Sequence, residues 1–203
     1  QPLTITMIYT ITILLLIAIS CKAECGGSNA TALTPFNLTE YLGIWYQIAV
    51  TKGFEEVFER DLYCVYANYT INPSDNSKVV VTNTGYKGGA DGPKDVAVGS
   101  ATQAVPNTAE LEVTFGNAPT PSPYWGIKMI DSTTTGQYDI VLIWSCENTG
   151  PVTYGETLWI LSREREISTA DYQTMVDYAY SVNINVAALN LTNTEQKNCK
   201  PVY

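Results

Sequence analysis

The stretch YLGIWYQIAV (residues 41–50) decides how this chain folds. After Gly43, polar and apolar side chains alternate, which predicts a β-strand that begins at the glycine. Trp45 stands two residues further on, so its indole faces the same side of the strand as the glycine. Because glycine lets the backbone bend sharply without hindrance from a Cβ atom, we expect Trp45 to turn inward and plug one end of the sheet.

Seven further strands are predicted downstream, each from a short apolar or alternating run. They cover residues 62–71, 78–86, 95–103, 109–116, 124–130, 138–146 and 155–163. The connections between them are rich in residues that favour the tight turns of antiparallel neighbours. One helix is predicted after the last strand: Ser168 can cap it, and its apolar face carries Met175, Val176, Ala179 and Val182.

Eight strands followed by one helix do not alternate as βαβ units do, so a parallel α/β sheet is disfavoured. The predicted fold class is all-β: an eight-stranded up-and-down antiparallel β-barrel with one C-terminal α-helix packed outside. Closing the sheet removes its edges, and a barrel of eight strands holds side chains or one small ligand. A β-sandwich with Greek-key crossings has a similar number of strands and stays an alternative.

The N-terminal region carries an apolar run, MIYTITILLLIAIS (residues 7–20), which is too short to span a bilayer comfortably. With the small residue Ala23 it predicts a secretory signal peptide over residues 1–23, ahead of a single domain over residues 24–203. Residues 1–6 are interpreted as lying upstream of the true start. A short membrane anchor is the alternative, disfavoured because no Lys or Arg precedes the run. The expected location is extracellular, without stable membrane insertion.

Secretion gives the remaining cysteines a structural role. Cys21 leaves with the signal, and an even set remains in an oxidising compartment, which predicts two disulfides among Cys25, Cys64, Cys146 and Cys199. Spacing alone allows three pairings. A zinc site is disfavoured because the chain has no C-x-x-C pair and no histidine, so no metal is predicted.

Charge and glycosylation motifs limit the partners. The formal charge of −9 repels nucleic acid and anionic membranes at long range. N-x-[ST] motifs fit the secretory route and predict glycosylation at Asn29, Asn37, Asn68 and Asn190. The lack of histidine also removes Ser-His-Asp and Cys-His catalysis.

The glycine and tryptophan of the first strand have a counterpart at the end of the eighth, where LWILSR places Arg163. This G-x-W with a matching arginine resembles two signature regions of the lipocalins. YLGIWYQIA, VGSATQ, PSPYW and DIVLIWSC resemble in particular the apolipoprotein D and bilin-binding branch, over roughly residues 35–186. An arginine laid over an indole gains about 0.5 to 2 kcal/mol of cation–π attraction and can bond nearby carbonyls.

The resemblance implies properties that spacing cannot supply. It implies the disulfides Cys25–Cys146 and Cys64–Cys199. It also implies one bound hydrophobic small molecule, drawn from bilins, carotenoids, retinoids, sterols or fatty acids, with a bilin or carotenoid pigment favoured and no enzyme cofactor.

Side chains that face the interior follow from the two-residue period of each strand. In the second strand Asn68 must face out to carry a glycan, so Cys64 faces out as well, and Ile71 faces in with the neighbours of the same parity. Small residues at Ala97, Gly99 and Ala101 would leave room inside. The predicted ligand contacts are Val65, Ala67, Tyr69, Val81, Asn83, Val113, Phe115, Trp125, Trp159 and Leu161. Asn83 and Tyr69 would orient the ligand, and ordinary barrel core is the alternative for each residue.

The predicted function is a secreted carrier or store for a small hydrophobic molecule, and not an enzyme. One alternative is a subunit of a larger coloured or protective assembly, as a homo- or hetero-oligomer. A thiol-dependent isomerase is a third, disfavoured because Cys64 faces outward and has a partner. The facing of Trp125 and Trp144 stays open, with Trp125 assigned to the open rim.

Overall fold

Eight antiparallel strands close into a barrel in the computed structural model, which describes residues 27–133, 135, 137–147 and 155–202. The strands are β1 (Gly43–Thr51), β2 (Leu62–Asn72), β3 (Asp75–Lys87), β4 (Lys94–Gln103), β5 (Glu110–Phe115), β6 (Ser122–Asp131), β7 (Tyr138–Glu147) and β8 (Gly155–Ser162). Each strand pairs with the next, and β1 pairs with both β8 and β2, which closes the ring. The predicted up-and-down barrel is confirmed, and the sandwich alternative is wrong.

The predicted C-terminal helix is confirmed as α3 (Thr169–Ser181), which lies outside the barrel. The Ser168 side chain accepts a hydrogen bond from the Asp171 amide and caps it. The prediction of a single helix is wrong, because three short ones also form: α1 (Leu38–Tyr41), α2 (Lys52–Phe58) and α4 (Val186–Leu189). These helices have only four to seven residues, which is too short for a helical period to show in the sequence. None of the helices in the described part of the chain combines the length and apolar character that a membrane crossing requires.

A second hydrophobic core separates α3 from the barrel. Met175 and Ala179 of α3 are fully buried against side chains such as Leu142 and Ile160 on the outer faces of β7 and β8. These strands are therefore apolar on both faces, because one face lines the barrel and the other supports the helix.

The C-terminal tail closes a seam between β1 and β2. β1 pairs with β2 only from Gly43 to Tyr46, and a ninth strand, β9 (Leu191–Asn193), pairs with β1 further along. The Gln196 amide then donates to the carbonyls of Gln47 on β1 and Val65 on β2, at 2.9 and 2.7 Å. The tail thus supplies the bonds that the two strands no longer make with each other.

The second strand follows the predicted alternation except near its start. The register of the pairing between β2 and β3 shifts between Tyr63 and Tyr66. Cys64, within this interval, adopts a left-handed backbone with φ of 55°. Cys64 is bonded to Cys199, which confirms the predicted pair. At the other end Ile71 pairs with Val79, which is buried in the barrel core, so it keeps the predicted inward parity, but it is 38% exposed. The strand runs past the end of the barrel core there.

The room expected beside β4 is only partly present. Ala97 borders open space and Ala101 is buried. A Cβ atom at Gly99 would lie 2.5 Å from the Thr114 carbonyl oxygen and 2.8 Å from the Phe115 ring. Glycine at this position therefore allows β5 to approach closely, and the Phe115 ring occupies the space.

Candidate functional site

Trp45 seals one end of the barrel. Its side chain is fully buried, and its indole Nε1 donates to the Tyr41 carbonyl at 2.7 Å. The guanidinium carbon of Arg163 lies 3.8 Å from the centre of the indole ring. The predicted contact of tryptophan and arginine is confirmed, and it stabilises the closed end by cation–π attraction.

Arg163 also ties the entry of β1 to the rest of the barrel. Its Nη1 donates to the Ile44 carbonyl at 2.7 Å, and its Nη2 donates to the carbonyls of Glu40 and Leu42 at 2.8 and 2.9 Å. Gly43 has φ of +96°, a backbone conformation that L side chains rarely adopt. The glycine is therefore required for the bend that brings these carbonyls around one guanidinium.

A cavity of about 420 Å³ occupies the other end of the barrel, and we call it the calyx. Trp159 is the centre of its aromatic wall: the Tyr124 ring stacks on it at 5.0 Å between centroids, and the Phe54 ring meets it edge-on at 4.9 Å. The wall is completed by Phe58, Glu59, Leu62, Val65, Asn83, Thr84, Gly85, Asp95, Ala97, Phe115, Ala118, Ser122, Ser145, Glu147, Gly155 and Thr157. An apolar wall with a few polar groups suits a small hydrophobic ligand.

The predicted contact residues lie at several depths in the barrel. Four of them line the calyx: Val65, Asn83, Phe115 and Trp159. Ala67, Tyr69 and Leu161 border a narrower space of about 40 Å³, which shares Val65, Asn83 and Trp159 with the calyx. Val113 borders a space of about 10 Å³ nearer the plug, and Val81 is packed in the core. The interior thus narrows from the calyx towards Trp45.

Trp125 is placed differently from the prediction. It belongs to the outer core beneath α3, where its ring lies 5.3 Å from that of Trp144, and it borders none of the three interior spaces described above. Trp125 therefore does not line the calyx, although it was predicted as a ligand contact. Because β6 and β7 are apolar on both faces, their side chains show no polar–apolar alternation from which the side of Trp125 could be deduced.

Some of the calyx residues that the sequence did not identify come from α2. Phe54, Phe58 and Glu59 belong to this short helix and the residue after it. Tyr124 precedes Trp125 on β6 and faces inward instead of it. The register of β6 shifts between Gly126 and Lys128, so a strict two-residue period could not identify its inward side, and no signal indicated the helix.

Glu59 is a buried carboxyl in the calyx wall, only 9% exposed. Gln47 Nε2 donates to its Oε2 at 2.6 Å. Burial raises the pKa of Glu59 to about 7, opposed by the Gln47 hydrogen bond and reinforced by the negative charge of Glu55. Burial also raises the pKa of the Tyr124 phenol, which stays neutral. The wall therefore contains one group that titrates near neutral pH.

The predicted glycosylation sites and Cys146 do not line the calyx. Asn29, Asn37 and Asn190 are exposed and Asn68 is half-buried, so their glycosylation stays a prediction. Cys146 is disulfide-bonded, but its expected partner Cys25 lies outside the described residues, as does the predicted signal peptide.

No set of three His, Cys, Asp or Glu side chains in the described residues could hold a metal ion.

Two curated proteins resemble most of the chain. Apolipoprotein D of Cavia porcellus is 30% identical over 165 residues, which is 81% of this chain and 79% of that protein. The Lazarillo protein of Schistocerca americana is 30% identical over 191 residues, which is 92% of this chain and 84% of that protein.

A solved structure and a family model agree with this likeness. Insecticyanin from the tobacco hornworm Manduca sexta superposes with a TM-score of 0.60 at 15% identity, over 84% of this chain and 86% of its own, and this supports the fold. The family model described as a lipocalin-like domain matches residues 36–194, nearly the whole barrel with α3. With its Trp45 plug, its calyx and this match, the chain belongs to the lipocalins, a family that binds hydrophobic ligands.

Proposed function

We propose that this protein is an extracellular carrier or store that holds one small hydrophobic molecule in the calyx. The observation that carries the proposal is an interior space of about 420 Å³ with aromatic walls, above a sealed barrel end. A ligand that buries roughly 300 Å² of apolar surface there gains about 7 kcal/mol from the hydrophobic effect. A micromolar Kd corresponds to about 8 kcal/mol and association costs reduce the gain, so burial of this area alone gives binding weaker than micromolar.

A flat conjugated molecule is the favoured cargo, either a bilin or a carotenoid. The rings of Tyr124 and Trp159 stack on each other, inclined by 24°, and with the edge-on Phe54 ring they form an aromatic side of the calyx against which such a molecule can pack. The sequence resemblance to the bilin-binding branch supports the same choice. Retinoids and sterols use the same surface less fully.

Secretion is part of the proposal. The apolar run near the N-terminus supports export, and the bond between Cys64 and Cys199 fits an oxidising compartment. The same bond removes Cys64 as a free thiol, so a mechanism of thiol catalysis at this residue is not part of the proposed function.

The test is to express the chain through a secretory pathway, purify it from its native source in parallel, and analyse what is bound. We expect absorbance or mass spectrometry to identify one apolar molecule per protein. We also expect added ligand to quench tryptophan fluorescence, since Trp159 is in the wall.

Two variants form a matched pair for this test. Ala97→Phe places a ring inside the calyx and should weaken binding at least about tenfold, whereas Val98→Phe adds a ring at the next, 59% exposed residue and should leave binding unchanged. Equal effects of the two substitutions, or no binding of any apolar probe, would refute the proposal.

A further inference from the structure

The calyx wall carries negative charge without any positive charge to balance it. Glu59, Asp95 and Glu147 line it, and no Lys or Arg does so among the residues that the structure describes. Residues 148–154, which follow Glu147, contain no Lys or Arg either, and the chain has no histidine. The ion pairs of the described residues lie elsewhere and leave these three carboxyls unpaired.

Among the described residues, only one of the two carboxyl oxygens of Glu59 is hydrogen-bonded to the protein. Its Oε2 accepts from Gln47 Nε2, which also donates to Thr194 Oγ1 at 2.9 Å. Its Oε1 accepts no hydrogen bond from the described residues, although the side chain is more than nine-tenths buried in the wall. Oε1 is not among the fully enclosed atoms of the described residues, so it is accessible from the open space of the calyx, and the group that it can meet there is the content of the calyx.

Resting on the proposed function, we propose that the calyx selects apolar ligands whose polar end donates a hydrogen bond or carries a positive charge, a primary amine above all, and discriminates against ligands that place a carboxylate beside Glu59. A donor satisfies Glu59, and a cation also gains from the negative charges of the exposed Asp95 and the half-buried Glu147. A carboxylate would bring a fourth negative charge with no basic partner.

The charge state of Glu59 makes the amine preference depend on pH. The groups that interact with it are Gln47 on β1, Glu55 on α2 and Tyr124 on β6, and Glu147 acts on the same Tyr124; none of them is basic. Glu59 has a pKa of about 7, so its carboxylate predominates above that pH. An alkylamine stays protonated up to about pH 10. Amine binding should therefore tighten from pH 6 to pH 8, whereas binding of the matching alcohol should not change.

The test compares three probes with the same twelve-carbon chain: dodecylamine, dodecanol and dodecanoate. Each is titrated into the full-length protein at pH 6 and pH 8, with tryptophan fluorescence and calorimetry as readouts. At pH 8 we expect the amine to bind at least about tenfold more tightly than the carboxylate, with the alcohol between them.

Glu59→Gln isolates the carboxyl, because an amide oxygen can still accept from Gln47. It should reduce the advantage of the amine over the alcohol about tenfold and remove its pH dependence. Glu56→Gln makes the same change of charge on the exposed side of α2, outside the calyx wall, and should change neither. Asp95→Asn provides a second, smaller reduction if the Glu59 variant does not fold.

The outcomes separate this inference from the function on which it rests. Equal affinities for the three probes, or tightest binding of dodecanoate, would overturn the selectivity and leave a carrier of hydrophobic molecules intact. If none of the three probes binds, the carrier itself is wrong.

Discussion

Replacing Arg163 by alanine should cost about 4 kcal/mol of unfolding free energy. The substitution leaves the carbonyls of Glu40, Leu42 and Ile44 without the donors that reach them at 2.7 to 2.9 Å, and each lost bond costs about 1 kcal/mol. It also removes the guanidinium that lies 3.8 Å from the Trp45 ring centre, worth roughly 1 kcal/mol. The sum is a large fraction of the 5 to 15 kcal/mol that is typical of one domain.

Urea denaturation followed by far-ultraviolet circular dichroism measures this loss as a shift of the midpoint at unchanged slope. Arg163→Lys should recover less than half of it, since one ammonium group cannot reach three carbonyls.

Arg165→Ala is the matched control. Its guanidinium carbon lies 4.3 Å from the Tyr46 ring centre, and it donates to Gln196 and to the Lys200 carbonyl on the barrel surface. It makes two hydrogen bonds, one of them exposed, so we expect a smaller loss of about 2 kcal/mol there. If Arg163→Ala destabilises the protein no more than Arg165→Ala, the closed end does not depend on the arginine and the reasoning fails.

Three further results are expected. Relative to Glu59→Gln, the ligand-free wild type should lose up to about 3 kcal/mol of stability as pH rises from 5 to 8, because a carboxyl whose pKa is raised from 4.5 to about 7 binds its proton more tightly folded than unfolded. Cys64→Ser with Cys199→Ser should lower the unfolding free energy by about 2 to 5 kcal/mol, since the bond spans 135 residues. Gly99→Ala should cost about 1 to 3 kcal/mol, because its Cβ would meet the Thr114 carbonyl oxygen.

Each of these results has a clear contrary outcome. Parallel pH profiles for wild type and Glu59→Gln would show that burial does not perturb the carboxyl. Equal stability of the wild type with and without reductant would show that the tail holds without its covalent bond. Unchanged stability of Gly99→Ala would mean that β5 can move away at no cost.

The strand order and the plug could be predicted because both follow from local patterns. Alternating side chains identify a strand, and the positions of Gly43, Trp45 and Arg163 relative to the first and last strands identify the closed end. The inner face of β2 was correct at Val65, Ala67 and Tyr69, since a single exposed residue fixes the parity of the others.

The rest depends on packing that no local pattern reports. Glu55, Glu56 and Glu59 stand within five residues of one another, yet only Glu59 is buried, and the sequence does not distinguish them. Trp125 lies in strand β6, which is apolar on both faces, so its side is decided by where α3 docks. The closed end of the barrel was thus predictable from the sequence. The contribution of α2 to the calyx wall and the buried carboxyl of Glu59 were not.

The seam between β1 and β2 has a consequence for biosynthesis. Beyond the direct pairing from Gly43 to Tyr46, the two strands are joined by the bonds of Gln196 and by the link between Cys64 and Cys199, which lie 135 residues apart in the chain. A chain that has formed all eight strands, but has not yet placed the segment around Gln196, lacks these bonds along the seam between β1 and β2. We therefore expect the seam to be completed only once the segment around Gln196 is in place and the Cys64–Cys199 bond has formed.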